Sequence, residues 1–334
     1  MKGPHHRILA IVLVSTAALL DATAVLGQDE KKVAQTGMQF LSVVSDARAA
    51  GLAYTVTAVD MGSEALFSNP ATMGFGRTEV DATFSLNRWI ADIDHLATSV
   101  SWAPGTFGRF GLSVHAVDYG SVETTVVAAN DQGYEDTGVL EPTALAIGVG
   151  YARALSDRFA VGGQVKWVQQ DLGVSTISGS DAALLSVDNK ESVLAFDFGT
   201  LYRTAIKDLS FGFSVRNFSQ EIEYASESFQ LPLTFSIGVA VDLANFGMID
   251  TEIHDVNLSV QATNARSHEE QIGFGLEYRF LQSVSLRGGY ISNNDEDDFS
   301  FGFGVSYFGV AADYAYTPQE NFDGVQRLTV KLGY

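Results

Sequence analysis

The residues of this sequence that could perform chemistry are few, and they form neither a catalytic nor a metal-binding pattern. Four histidines follow the first thirty residues, and none lies at the spacing of metal ligands: His95, His115, His254 and His268. The chain has no Cys, which excludes disulfides and thiol catalysis, and it has no G-x-S-x-G or H-E-x-x-H motif. We therefore predict no enzyme activity, no metal site and no cofactor.

An acidic run at residues 293–298 is the one segment that suggests a cation. Calcium takes six to eight oxygen ligands from a shaped loop, and this run lacks the glycine and terminal glutamate spacing of an EF-hand. We interpret the run as a solvated loop. Clustered carboxylates also suit divalent cations that bridge surface lipids, so this alternative stays open.

A second set of ionisable residues stands singly among small residues. In segment 272–280 the large residues Ile, Phe, Leu, Tyr and Phe alternate with Gly, Gly, Glu and Arg, and segments 159–167, 299–307 and 328–334 repeat the pattern. A period of two indicates a β-strand with two unlike faces. The ionisable residues on the small faces are Lys166, Arg203, Arg216, Glu277, Arg279, Arg287, Asp197, Asp242 and Asp313.

The composition of the two faces decides which of them points outward. A soluble β-sandwich or propeller would show Lys, Glu and Thr to water, whereas here the second face is rich in Gly, Ser and Ala. Small residues suit the interior of a closed barrel, and large aromatic residues suit lipid. The pattern favours a transmembrane antiparallel β-barrel whose isolated charges face the lumen, where they either line a pore or lock the interior by ion pairs.

The overall composition agrees with a membrane barrel. Only 18% of the residues are charged and the mean hydropathy is +0.10, an average expected of an apolar exterior and a polar interior. The formal net charge is −20, which excludes nucleic acid as a partner because a phosphate backbone requires a basic face.

The alternation predicts fourteen strands between residue 78 and residue 334. Alternate connections are tight, and the others are mostly long and polar, as expected of periplasmic turns and extracellular loops. Links 89–92 and 244–252 have unexpected lengths, which leaves open a miscount of two strands. The predicted strands are 78–89, 92–103, 108–120, 142–155, 157–172, 191–205, 208–219, 230–243, 253–265, 268–280, 283–293, 297–307, 308–316 and 327–334.

The first residues are typical of an export signal. Lys2 and Arg7 precede an apolar run that is too short to span a bilayer, and small residues follow up to Gly27. We predict a signal peptide at 1–27, with an uncleaved anchor helix as the alternative, and an outer-membrane location for the exported chain. The C-terminal Tyr334 resembles the signal that the barrel-assembly machinery reads, so that machinery and outer-membrane lipid are expected partners.

Residues 28–77 differ from the rest and are predicted to form a periplasmic or plug segment before the barrel at 78–334. We expect a short helix at 42–50, an extended piece at 53–59 and a helical turn at 63–67 that Asn69-Pro70 terminates. Arg48, Glu64, Asn69 and Pro70 either form a plug at the periplasmic mouth, with the two charges paired, or simply seat the segment on the wall. The many glycines do not decide between an open lumen and a filled one.

Three blocks of sequence resemble the PorV/PorQ family of outer-membrane proteins. They are Phe40-Leu41 with Ala47-Arg48-Ala49-Ala50 and Glu64 to Ala71, then Trp89 with Ala91-Asp92-Ile93, and then Tyr151-Ala152-Arg153 with Leu155 to Gly163. The blocks cover the first half well, and the second half matches by pattern. The family's Gly-Gly or Met-Gly is replaced by Gly51-Leu52, and its aromatic-Asn-Pro-Ala by Phe67-Ser68-Asn69-Pro70-Ala71.

The resemblance implies a fourteen-stranded barrel, related in fold to long-chain fatty-acid channels, that acts in type IX secretion. Partners implied in this way are secreted cargo with a C-terminal signal domain and a cell-surface attachment complex. The alternative is a passive channel for hydrophobic or small solutes, because a fatty-acid-channel fold with a removable plug would also fit the sequence.

Overall fold

The computed structural model describes residues 36–178, 184–206, 209–224, 227–244, 253–294 and 298–333. Fourteen antiparallel strands close into one barrel, which confirms the predicted fold and strand number. Within the described residues two more hairpins, β4–β5 and β10–β11, lie outside the barrel wall. The strands are β1 Val80–Arg88, β2 Asp94–Trp102, β3 Arg109–Asp118, β4 Val122–Val127, β5 Tyr134–Leu140, β6 Thr143–Ala154, β7 Phe159–Ser178, β8 Leu184–Arg203, β9 Ser210–Ser219, β10 Ile222–Tyr224, β11 Glu227–Phe229, β12 Thr234–Asp242, β13 His254–Ala265, β14 Gln271–Phe280, β15 Val284–Ile291, β16 Phe299–Tyr307, β17 Val310–Thr317 and β18 Val325–Gly333.

The two faces of each strand lie as the alternation predicts. On β14 the side chains of Phe274 and Leu276 are 44% and 46% exposed on the outside, whereas Glu277 is 1% exposed on the inside. Successive side chains of a strand point to opposite sides, so the alternation places apolar side chains towards lipid and small or polar ones towards the lumen. The barrel closes where β1 pairs with β18, from Asp81 opposite Gly333 to Arg88 opposite Gln326.

Several segment lengths differ from the sequence prediction. β7 and β8 extend to 20 residues each, and β4–β5 and β10–β11 form in connections that we predicted as loops. The sequences of these extensions lack the alternation of large apolar with small residues that marks the wall. The links that left the strand count open, near residues 90 and 248, join neighbouring strands and do not change the count.

The two ends of the barrel differ in the length of their connections. We name the end with the long connections, including β4–β5 and β10–β11, the loop end, and the opposite end, with residues 80 and 333, the turn end. In bacterial barrels short turns face the periplasm and long loops face the exterior. By this rule the loop end is extracellular.

Residues 36–76 form a segment inside the barrel, which we name the plug. It starts at the loop end, where Thr36 forms an isolated bridge with Gln230, and ends beside β1 at the turn end. Its helices are the 3₁₀-helix Gln39–Ser42, the α-helix α1 Ala47–Gly51, and the 3₁₀-helices Ser63–Phe67 and Pro70–Phe75. The sequence suggested a plug at the periplasmic mouth. In the structure the plug runs through the lumen from the loop end to the turn end.

The local conformation of the plug confirms one sequence prediction in part and corrects another. A helix occupies the end of 42–50, and the turn at 63–67 is present, but residues 53–59 form turns instead of an extended piece. Ala53 and Tyr54 have positive φ angles of 47° and 64°, which break an extended run. None of the helices in the described part of the chain has the length and apolar composition that crossing a membrane requires.

Apolar contacts hold the plug at both ends of the lumen. Near the loop end Met38, Phe40 and Leu41 pack with Val168 and Leu231, which are fully buried, and with other residues of the wall. Near the turn end Leu66 and Met73 pack with Ala152 and Leu201. Each large side chain that is buried in this way stabilises the fold by about 1.5–3 kcal/mol, so the plug is part of the folded core.

Glycines in the wall let the plug backbone approach it closely. A Cβ atom at Gly212 of β9 would overlap the carbonyl group of Thr57, and one at Gly289 of β15 would overlap the backbone of Ala53. These contacts are to backbone atoms, which cannot rotate away. The small inner faces seen in the sequence thus accommodate a filled lumen.

Candidate functional site

The site with the densest arrangement of ionised groups lies between the plug and strands β14 to β18. Glu277 on β14 accepts hydrogen bonds from Arg48 of the plug, with Nε to Oε1 at 3.0 Å and Nη2 to Oε2 at 2.8 Å. Arg279 Nη2 lies 3.0 Å from Oε2, and Arg287 Nε lies 2.8 Å from Oε1. A single buried carboxylate thus binds three guanidinium groups, one of which belongs to the plug.

The cluster continues across the wall to a second contact with the plug. Arg287 Nη1 donates to Asp313 Oδ1 of β17 at 2.6 Å, passing over β16, where a side chain at Gly304 would meet the Arg287 guanidinium. Lys331 of β18 lies 3.9 Å from Asp313 and donates to Glu64 of the plug at 2.6 Å. We name this chain of groups, from Arg48 to Glu64 through the wall, the latch.

The electrostatics of the plug carboxyls follow from burial and from Lys331. Burial alone raises the pKa of Glu64, but the Lys331 ammonium and its hydrogen bond outweigh this effect and lower the pKa to about 2. Burial also raises the pKa of Asp46, and the attraction to Lys331, 3.6 Å away, does not offset it. Glu64 is therefore the stronger plug anchor, while Asp46 caps α1 by accepting the Ala49 N–H.

The pairing of Arg48 with Glu64, which belonged to one of the two interpretations of this segment, does not occur, because both groups find partners on the wall. Arg48 pairs with Glu277 and Glu64 pairs with Lys331. The reason is the curvature of the lumen, which surrounds the plug with inward-facing charges of several strands. Both residues remain at the plug–wall boundary, where the sequence placed them.

Asn69 and Pro70 join the plug to the other side of the wall. Asn69 Nδ2 donates to the carbonyl groups of Thr57 at 2.7 Å and Thr200 at 3.1 Å, and its Oδ1 accepts the Ala71 N–H. Pro70 starts the 3₁₀-helix that follows, so the pair begins a helix as well as ending the previous turn. A Cβ atom at Gly162 of β7 would come within 2.6 Å of the Pro70 carbonyl carbon. The motif therefore seats the plug on β7 and β8.

The remaining predicted lumen charges lie outside the latch. Lys166 pairs with Asp197 at 2.8 Å and donates to Asn217 Oδ1 at 2.6 Å. Arg203 pairs with Asp60 of the plug at 2.6 Å near the turn end, and Arg216 donates to the Phe67 carbonyl of the plug at 2.6 Å. Five of the nine predicted lumen charges thus bind plug atoms or the carboxylate that binds Arg48: Arg203, Arg216, Glu277, Arg279 and Arg287.

Sequence reasoning missed three residues of this arrangement: Asp46, Asp60 and Lys331. Lys331 had a usable signal, since it lies in phase with Arg327 on the polar face of the last strand. Asp46 precedes an Ala-rich helix, as N-cap residues do. Asp60 had no signal, because its partner Arg203 comes from a strand 143 residues later.

The space between plug and wall is small, and its lining is mixed. One cavity of about 90 Å³ lies mainly against β9 and β12 to β14, with Ser214, Gln261, Val56 and Met61 among its lining residues. A second cavity of about 30 Å³ lies next to His115 and Lys166. Both are smaller than the apolar cavity of about 150 Å³ that is known to bind benzene.

Two histidines that are 20 residues apart meet in the interior. His95 Nδ1 lies 3.1 Å from His115 Nε2, and Ser45 Oγ lies 3.5 Å from the same nitrogen. Across the part of the chain that the structure describes, no group of three or more histidine or acidic side chains is placed to hold a metal ion. Three predicted features fall at least partly outside the described residues. They are the acidic run at 293–298, of which 295–297 are not described, the C-terminal Tyr334 and the predicted signal peptide at 1–27.

Solved structures with the same fold include two toluene transporters and a FadL homologue. The toluene transporter TbuX of Ralstonia pickettii is 14% identical with a TM-score of 0.60, over 88% of this chain and 99% of that one. The toluene transporter TodX of Pseudomonas putida is 12% identical with a TM-score of 0.58, over 85% and 95%. A FadL homologue of Pseudomonas aeruginosa is 11% identical with a TM-score of 0.56, over 86% and 98%. At these identities the likeness shows the fold alone.

The family is shown by the sequence itself. Residues 109–324, more than half of the chain, match the family described as type IX secretion system membrane protein PorP/SprF. A comparison with curated proteins finds no match. The PorV/PorQ resemblance is therefore wrong at the family level, and the barrel and its membrane family support the outer-membrane location.

The blocks that carried the resemblance lie mostly outside the matched region. Two of the three precede residue 109 and form the plug and the link between β1 and β2, whereas the third, Tyr151 to Gly163, lies inside the matched region. The small residues of the plug block serve close contact with the wall and therefore indicate a plugged barrel. The matched region begins at β3, and on that match the chain belongs to the type IX secretion system membrane protein PorP/SprF family.

Proposed function

We propose that this chain is a sealed outer-membrane scaffold of type IX secretion, which docks a secreted protein or a cell-surface complex at its loop end. The observation that carries the proposal is the plug, which fills the lumen and is fixed to the wall by the latch. A lumen that holds its own chain leaves outer surfaces, rather than the interior, for contact with macromolecules.

The energetics of the latch support a permanent seal. Removing one partner of a buried ion pair leaves the other charge uncompensated, at a cost of about 3–5 kcal/mol. Opening a path along β14 to β18 would separate Arg48 from Glu277 and Glu64 from Lys331 in one step. We therefore expect the plug to stay in place while partners bind and leave.

The test combines partner recovery with conductance. Tagged full-length protein is crosslinked mildly in intact cells and purified, and recovered proteins are identified by mass spectrometry. We expect proteins with a C-terminal signal domain or surface components of type IX secretion, together with no steady conductance of the purified barrel in planar bilayers. Recovery of only porins and assembly factors would contradict the proposal.

The second candidate function is a passive channel, favoured by the fold that the chain shares with toluene transporters. The two cavities between plug and wall do not suit a hydrocarbon, because at about 90 Å³ and 30 Å³ they are smaller than the apolar cavity of about 150 Å³ that binds benzene. A water-lined route for small polar solutes on the side of β9 to β13 fits them better. Steady flux of such a solute through the wild-type barrel in liposomes would favour this second candidate.

A further inference from the structure

The loop end is strongly acidic. Among the described residues its connections hold 17 acidic and two basic residues, which gives a formal charge of −15. The described turn-end connections hold two acidic and two basic residues and are neutral. The loop-end connections are 89–93, 119–142, 171–191, 220–233, 266–270, 292–298 and 318–324.

One element of this acidic end has an unprotected strand edge. Among the described residues, β4 pairs only with β5, and the two form a separate two-stranded sheet above the barrel. An isolated hairpin of this kind is marginally stable in water. Exposed edges are usually protected by Lys, by Pro or by a covering element. The sequence of β4, Val-Glu-Thr-Thr-Val-Val, contains neither Lys nor Pro.

The backbone of β4 is oriented to accept another strand. Ala128 N–H donates to the Gly133 carbonyl where the hairpin turns, so bonded and non-bonded pairs alternate back along β4 from that point. By this alternation the N–H and C=O groups of Thr125 and Val127 point away from β5. Val127 is 87% exposed, and Val122 is 50% exposed. β5 suits pairing less, because Gly138 and two consecutive carboxylates interrupt it.

The charge around this edge selects among the possible occupants. The hairpin region carries five carboxylates, and no Lys or Arg lies between Arg109 and Arg153. A second copy of the chain would bring like charges into register, which is unfavourable across a strand pair. Lipopolysaccharide phosphates are also negative. A basic polypeptide in extended conformation satisfies both the open edge and the charge.

We propose that β4 binds an extended, Lys- or Arg-containing segment of a partner protein as an added strand, an inference that rests on the proposed docking function. Main-chain hydrogen bonds to Thr125 and Val127 supply the pairing, and carboxylates such as Glu123 and Asp136 select basic side chains. The segment pairs with the edge of β4 that faces away from β5.

The test uses the full-length protein in its own outer membrane. Benzoylphenylalanine replaces Val127 in one strain and Phe322, an exposed residue of another loop-end connection, in the control strain. We expect a photocrosslink at position 127 to a basic β-strand segment of a secreted or surface protein, with a yield that falls as salt is raised. Crosslinks at 127 only to a second copy or to lipopolysaccharide overturn the inference.

A backbone variant separates this inference from the proposed function. Thr125→Pro removes an outward N–H without removing a β4–β5 hydrogen bond, and Thr125→Ser keeps that N–H as the matched control. Heat-modifiable migration verifies that both barrels fold. We expect Thr125→Pro to lower partner recovery by about fivefold to tenfold, as loss of a main-chain hydrogen bond predicts. Undiminished recovery overturns strand addition and leaves docking intact, whereas no partner even with the wild type contradicts both.

Discussion

Glu277 is the residue on which the fixed position of the plug depends most. Its carboxylate is 1% exposed and pairs with Arg48, Arg279 and Arg287, so three cations share one anion inside the lumen. The two arginines of the wall are held by other carboxylates as well, Asp255 and Asp313, but Arg48 has Glu277 as its ion-pair partner among the described residues. A change at Glu277 therefore acts mainly on the plug.

Replacing Glu277 by Gln should loosen the plug and destabilise the barrel. The amide keeps the shape but not the charge, so Arg48 becomes an uncompensated buried cation, and we expect a loss of about 3 kcal/mol in the free energy of unfolding. Urea titration followed by heat-modifiable migration measures it. Glu269→Gln, at an exposed loop residue, is the control and should change stability by less than about 0.5 kcal/mol. Equal effects of the two changes would contradict the assigned role.

Two substitutions at Asp46 distinguish the effect of its helix cap from the effect of its charge. Asp46→Asn keeps an oxygen that accepts the Ala49 N–H and removes a charge whose burial raises its pKa, so stability should be unchanged or slightly higher. Asp46→Ala loses the cap and should destabilise the protein by about 1 kcal/mol. If both variants lost the same stability in the same urea titration, the charge rather than the cap would be what matters.

At the scale of elements, the sequence predicts the wall far better than the plug. Alternation over β14, β16 and β18 is a local signal, repeated in each strand, and it yields both the strand number and the inward side of Glu277 and Arg287. The partner of each charge depends on which strand is adjacent and on where the plug lies, which no local pattern contains. This is why the sequence offered Arg48 and Glu64 only each other as possible partners, and did not indicate Glu277 and Lys331.

The close contact between plug and wall can be tested at a single glycine. A Cβ atom at Gly212 overlaps the Thr57 carbonyl, so Gly212→Ala should displace residues 55–58 and cost about 1–3 kcal/mol. Gly288→Ala is the matched control, because nothing lies within 4 Å of a Cβ atom there. Hydrogen exchange of the plug amides measures the displacement. Unchanged protection in Gly212→Ala would show that the plug does not lie against β9.

At the scale of the whole molecule, the plug and the wall form one unit that should respond to acid. The pKa of Glu64 is about 2 in the folded protein against an ordinary value of 4.5, so its contribution to stability is fully present above about pH 4.5. It is lost as the pH falls from 4.5 towards 2, when Glu64 takes up a proton and releases Lys331. The seal should therefore be insensitive to pH across the neutral and mildly acidic range.

Bilayer recordings can measure this acid response. We expect wild-type barrels to stay closed from pH 7 to about 4.5 and to show openings as the pH is lowered further. Glu64→Gln should open equally often at neutral and acidic pH, because the group that titrates is absent. Openings of the wild type that begin between pH 7 and 5 would point to another group.

The path of the plug has a consequence for how the molecule is made. The chain passes from Thr36, which bridges to Gln230 at the loop end, down the lumen to Ser63, which bonds to Asp81 near the turn end, and it begins the surrounding wall only after residue 76. Inserting this segment after β1 had paired with β18 would require threading about forty residues through a finished cylinder. We therefore expect the strands of the wall to assemble around the segment before the seam between β1 and β18 closes. A chain that lacks the segment should then fold less readily, in addition to losing the seal.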